Sequence, residues 1–223
     1  MMSRRNMIPY AAFVASLSLI PAAAAAQSYL QAQAVPSGYN VTSSGFTVEC
    51  WIKVRSLPSF DPRVIRCIGP GEAPCGNPSL DCWEFSICRS SCTSGIAYFS
   101  IVRDGVCNIG ELPTTVGVAN NDYHHLAGTY DGAVMRIYVD GVLSNSRSVP
   151  GLNTQVAGGK LVVGNSTAYS SQFDGQIDEV RIWSVARTES QILSDMTIEI
   201  APQPGLVGYW RLNGDGTDLS GGG

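Results

Sequence analysis

Charge is scarce in this sequence, and basic charge is the scarcer sign. Of 223 residues, 14 are Lys or Arg and 18 are Asp or Glu, for a formal net charge of −4. A phosphate-rich partner, whether nucleic acid or an anionic membrane surface, calls for a basic face; so few cations among more acids argue against both. Histidine is limited to His124 and His125. Neighbours on a strand face opposite sides, and no third ligand is suggested, so the pair reads as structural rather than as a metal site. There is no G-x-S-x-G, no H-E-x-x-H and no phosphate loop. No two cysteines are spaced C-x-x-C and none has a histidine nearby, which argues against zinc.

What is present begins with an export signal. Ser3, Arg4 and Arg5 precede an apolar run from Met7 to Ile20, then Pro21 and an alanine tract ending at Ala26. Charged n-region, short h-region and small residues before the cut form a secretory signal peptide over 1–26; the paired arginines also fit a twin-arginine signal. Removing it takes away two arginines and no acid, so the net charge falls from −4 to −6. Secretion or placement in the cell envelope follows, with no membrane insertion once the signal is gone.

All seven cysteines lie beyond the signal, and six of them, Cys67, Cys75, Cys82, Cys88, Cys92 and Cys107, fall within one stretch. In an exported chain that density predicts a disulfide framework. Seven is odd, so one thiol is unpaired within the chain. The alternation of Phe46, Val48, Cys50, Ile52 and Val54 puts Cys50 on an apolar strand face, as a buried free cysteine.

Short runs of alternating hydrophobicity predict strands near 46–54, 83–88, 96–103, 124–130, 134–139, 160–164, 176–183 and 206–212. Asp-Gly pairs at 104–105, 131–132, 140–141, 174–175 and 215–216 supply the positive φ that tight turns require. Many short strands in one unit of this length mean an all-β antiparallel sandwich or barrel. Thr188-Glu189-Ser190-Gln191 has the form of a capping box, and Ile192 and Met196 then share a face, so one or two helical turns follow Trp183. The stretch 57–108, rich in Cys and Pro, reads as strands carrying a disulfide-stapled insertion of long loops.

Six segments resemble the LamG-like, or concanavalin A-like, jelly-roll domains, relatives of pentraxins, laminin G modules and bacterial β-glucanases. They are Gly45-Phe-Thr-Val-Glu-Cys-Trp-Ile-Lys53, Tyr123-His-His-Leu-Ala-Gly-Thr-Tyr-Asp-Gly132, Met135-Arg-Ile-Tyr-Val-Asp-Gly141, Leu161-Val-Val-Gly-Asn165, Phe173-Asp-Gly-Gln-Ile-Asp-Glu-Val-Arg-Ile-Trp183 and Gly205-Leu-Val-Gly-Tyr-Trp-Arg-Leu-Asn213. The resemblance implies one two-sheet jelly roll over 27–223. The tail 213–223 looks like the start of a following module. The resemblance also implies a non-catalytic binding or adhesion module that recognises carbohydrate or an extracellular protein. By analogy with β-glucanases it implies a calcium ion held by Asp178 and a carbonyl near Gly45. Two features depart from pentraxins: 123–131 lacks their bridging cysteine, and Asn165-Ser166-Thr167-Ala168 replaces their acidic calcium run.

Glycosidases need two carboxylates flanking the scissile bond. In Gln176-Ile177-Asp178-Glu179-Val180-Arg181 the outer two acids of the β-glucanase pattern are Gln and Arg, and Asp178 and Glu179 should point to opposite faces. The sequence therefore reads as no enzyme, with a divergent glycoside hydrolase or a structural spacer of a larger envelope protein as the other readings. Sugar sites stack rings on loop aromatics, which nominates Tyr39, Phe60, Trp83, Tyr169 and Phe173, with Asn165 and Gln172 as polar partners beside Tyr169.

Overall fold

The computed structural model describes residues 30–32, 39–57, 62–68, 81–87, 95–101, 111–152, 154, 160–164, 173–213 and 216–221. Within them run β1 (Leu30–Ala32), β2 (Phe46–Val54), β3 (Arg63–Ile68), β4 (Asp81–Ile87), β5 (Ile96–Ile101) and β6 (Leu112–Gly117). There follow β7 (Tyr123–Tyr130), β8 (Val134–Val139), β9 (Val142–Ser148), β10 (Lys160–Val163), β11 (Gly175–Trp183), α1 (Glu189–Asp195) and β12 (Leu206–Trp210). Two antiparallel six-stranded sheets result, ordered β1-β10-β3-β4-β5-β6 and β12-β11-β2-β7-β8-β9.

Alternation on β2 sets the plan. Phe46, Val48, Cys50, Ile52 and Val54 are buried in the core between the sheets, which leaves Thr47, Glu49, Trp51 and Lys53 for the opposite side. The second sheet answers with Ile65, Cys67, Trp83, Phe85, Phe99 and Ile101. Phe46 and Trp83 meet across the core at 5.0 Å between ring centroids. At the centre, Gly128 lets the sheets approach: a Cβ there would lie 2.6 Å from the Phe99 ring. Along one side β6 and β9 are stitched together, Thr115 N–H donating to Ser144 Oγ at 2.9 Å and Asn145 Nδ2 to the Pro113 carbonyl at 2.9 Å.

The segment 57–108, expected to carry an insertion, supplies β3, β4 and β5, the middle of one sheet. Cys67 is buried and disulfide-bonded; its partner and the side chains of Cys75, Cys82, Cys88, Cys92 and Cys107 lie outside the described residues. Cys50 is free and fully buried, and that burial, with the Glu49 carboxylate beside it, pushes its thiol far up. Residues 1–26 also lie outside the described residues. In the tail, Leu219 N–H donates to the Tyr209 carbonyl at 2.8 Å and Asp218 Oδ1 accepts from Tyr209 N–H at 3.0 Å, so this stretch runs along β12.

The Asp140-Gly141 turn has φ of 53° and 80°, the signature of the two-residue hairpin that joins β8 to β9. Thr188 caps α1 with the reciprocal Thr–Gln191 box. The helix lies on the outer face of the β2 sheet, where Ile192 packs against Ala127 and Tyr138. Among the described residues no helix is long and apolar enough to cross a membrane.

Candidate rim cleft and the buried network beside it

Beneath α1 the outer face of the β2 sheet is charged and dry. Glu49, His125, Glu179, Arg181 and Arg187 are each at most 6% exposed. Arg181 Nη2 donates to Glu179 Oε2 at 2.7 Å, and Tyr209 Oη donates to the same oxygen at 2.6 Å. Arg187 Nη1 donates to Glu49 Oε1 at 3.2 Å and its Nη2 to Asp195, while its guanidinium stacks 4.1 Å from the Trp183 ring centroid. Arg181 also reaches the carbonyls of Asp195 and Ile198, and Trp51 Nε1 donates to the Met196 carbonyl, so the network pins the segment after α1. His125 stands 3.6 Å from Glu49, yet burial first, and Arg181 next, press its pKa down to about 3. It is a neutral imidazole.

Asp178 borders this network through a bulge. Register passes from Asp178 opposite Trp51 to Arg181 opposite Glu49, one residue too many on β11, and Glu179 takes φ 51°. The extra residue brings Asp178 and Glu179 to the same outer side, correcting the expectation that they diverge. Burial, and then the Glu179 carboxylate, push Asp178 up to about 7.

The predicted calcium pair is not brought together. Gly45 sits against Ala186, whose nitrogen a Cβ would meet at 2.5 Å. Asp178 faces Trp51, six β2 positions and about 20 Å away at strand spacing. Among the described residues no group of three His, Cys, Asp or Glu is arranged for a metal. Trp83, predicted to stack on a ligand, is wholly buried and donates its Nε1 to the Tyr39 carbonyl at 3.0 Å. Tyr39 and Phe173 are core residues as well. The loop reading failed for them because long connections hid the core alternation. Asn165, Tyr169 and Gln172, like Phe60, lie outside the described residues.

At the opposite end of the same strands the surface opens. A cleft of about 160 Å³ is lined by Lys53, Arg55, Asn121, Gly175 and Gln176. Pairing puts Gln176 beside Lys53 and Lys53 beside Tyr123, one row across β11, β2 and β7. Tyr123 Oη donates to Gln176 Oε1, and Lys53 Nζ stands 5.1 Å over the Tyr123 ring. Arg55 Nη1 donates to Asp174 Oδ1 at 3.1 Å, and Ser56 Oγ donates to the other carboxylate oxygen. Gly175 makes the floor, since a Cβ there would lie 2.0 Å from the Lys53 carbonyl oxygen. Close by, Phe173 N–H donates to the Gly164 carbonyl at 3.1 Å, and Asp174 follows. Sequence reasoning missed this cleft, because Lys53 and Gln176 sit on strands it recognised but could not pair.

A family model for the concanavalin A-like lectin/glucanases superfamily matches residues 25–193. Mouse pappalysin-1 is 29% identical over 102 residues, which are 44% of this chain and 6% of that protein, so the chain spans a small fraction of that relative. Among solved structures, a Bacteroides ovatus protein described as a candidate carbohydrate binder superposes with a TM-score of 0.62 at 22% identity, covering 83% of this chain and 49% of that one. The heptameric SAP-like pentraxin of Limulus polyphemus gives 0.53 at 17% identity, covering 74% and 73%. Domain 4 of AbnA, an extracellular GH43 arabinanase of Geobacillus stearothermophilus solved with arabinotriose, gives 0.52 at 18%, covering 81% of each chain. These likenesses speak for the fold. Matched over residues 25–193 and built as two antiparallel sheets, the chain belongs to the concanavalin A-like lectin/glucanases superfamily.

Proposed function

We propose that this chain is an exported, non-catalytic module that binds carbohydrate at the cleft between β2, β7 and β11. The observation that carries the reading is the open, polar cleft at the sandwich rim, lined by Lys53, Arg55, Asn121, Gly175 and Gln176. Its size suits a single sugar ring. Domain 4 of the arabinanase, with its bound arabinotriose, and the Bacteroides protein lend support as folds on which sugar recognition is built.

Absence of catalysis is supported by where the acids are. Asp178 and Glu179 are buried side by side, Glu179 is taken up by Arg181 and Tyr209, and Asp174 at the cleft is engaged by Arg55 and Ser56. A pair of accessible carboxylates set across a sugar is what hydrolysis needs.

The test is a glycan array probed with the purified exported chain. Retention of a defined glycan set, lost in Gln176→Ala, is the expected result. Binding to no glycan overturns the reading and leaves a structural spacer.

A further inference from the structure

We infer that the cleft selects an acidic sugar, gripping a carboxylate or sulfate group rather than neutral hydroxyls. This rests on the carbohydrate-binding reading above and narrows it. Lys53 offers three N–H donors and no acceptor, and Arg55 has five and none, one of them already given to Asp174. Gln176 offers both, though one of the two lone pairs of its Oε1 is taken by Tyr123 Oη, so its Nε2 amide hydrogens and a single lone pair remain for a ligand. Asn121 adds one further amide, so donors outnumber acceptors among the lining side chains.

A neutral sugar presents hydroxyls that each donate as well as accept, and burying them leaves donors that need partners. The Asp174 carboxylate is already held by Arg55 and Ser56. A carboxylate or sulfate ester only accepts, and this donor-rich wall matches it.

Charge points the same way. Asp174 offsets Arg55, whereas Lys53 has no carboxylate among the described residues within ion-pair distance, and its ammonium is held over the Tyr123 ring. The cleft therefore carries an uncompensated positive charge on a chain whose net charge is −4. That local positive charge attracts an anion.

Calorimetric titration with matched oligosaccharides that are neutral, uronate-bearing, sialylated or sulfated tests this. Acidic forms should bind at least tenfold tighter than their neutral counterparts, and more weakly as salt rises. Lys53→Gln should remove the preference with an unchanged melting temperature, and Lys53→Arg should keep it. The uronate, sialate and sulfate arms identify which anion is preferred. Equal binding of neutral and acidic forms, unaffected by Lys53→Gln, overturns this inference while leaving carbohydrate binding standing; no binding in any arm removes both.

Discussion

The strands β11, β2 and β7 carry charge at both of their ends and handle it in opposite ways. Under α1, the acids Glu49, Glu179 and Asp195 face Arg181 and Arg187, and every charge has an opposite partner. At the rim, Lys53 has none and Arg55 is 61% exposed. Desolvation explains the contrast. A charge taken out of water costs several kcal/mol unless it is matched, whereas a charge left in water tolerates being unmatched. Only the second kind keeps affinity to offer a ligand, so the sealed end is architecture and the open end is where the proposed site lies.

The contrast is broken most severely at Arg181. Arg181→Met removes the main cation from buried Glu179, leaving it with Tyr209 and, at 3.9 Å, Arg211, and should cost about 3 kcal/mol in urea unfolding. Adding Glu179→Gln should recover part of that loss; a cost under about 1 kcal/mol would mean the sealed charges are not structural. Gly128→Ala serves as an uncharged control, forcing a methyl into the Phe99 ring, with an expected loss of about 1–3 kcal/mol.

Asp178 stands between the two ends and gives a pH-dependent result. Its folded pKa of about 7 exceeds its ordinary 3.8. Below pH 3.8 both states are protonated and nothing is lost; between 3.8 and 7 the unfolded chain releases the proton first, so stability falls as pH rises, and above 7 the full penalty applies. Asp178→Asn should therefore leave stability unchanged at pH 3 and raise it by about 1–3 kcal/mol at pH 8, seen as a higher Tm. Burial of neutral His125 acts in reverse, removing stability as pH falls from its ordinary 6.5 toward 3. The smallest effect belongs to the open end: Lys53→Gln should move unfolding by less than about 0.5 kcal/mol.

Much of the fold was legible because one face of most strands is dry. β2 and β8 match their expected limits of 46–54 and 134–139 to the residue, since strict alternation and flanking turns mark both ends. β9 escaped notice because Val142–Ser148 lies at a sheet edge with little buried on either side, and its sequence is largely polar. β6 contains Pro113, tolerated at an edge and misleading in a pattern search. β3 was hidden by the cysteines and prolines around it. The cleft was less legible than the fold, because Lys53 and Gln176 become neighbours only through a pairing between residues more than a hundred positions apart. The phase of Glu179 could not be read either, since no glycine announces its left-handed backbone.

That one extra residue has a meaning for the gene. Downstream of it, Val180 and Ile182 enter the core while Arg181 and Trp183 meet the buried network and the stacked Arg187. Deleting codon 179 would keep the reading frame and, because β11 holds one residue more than β2 at this point, would leave Val180 opposite Cys50 and Arg181 opposite Glu49, each later side chain still on its own face. A codon lost elsewhere in the middle of the strand would turn the later side chains to the wrong face, so the bulge is the place where β11 can lose a residue and keep its register, the loss being the Glu179 carboxylate that Arg181 and Tyr209 bond.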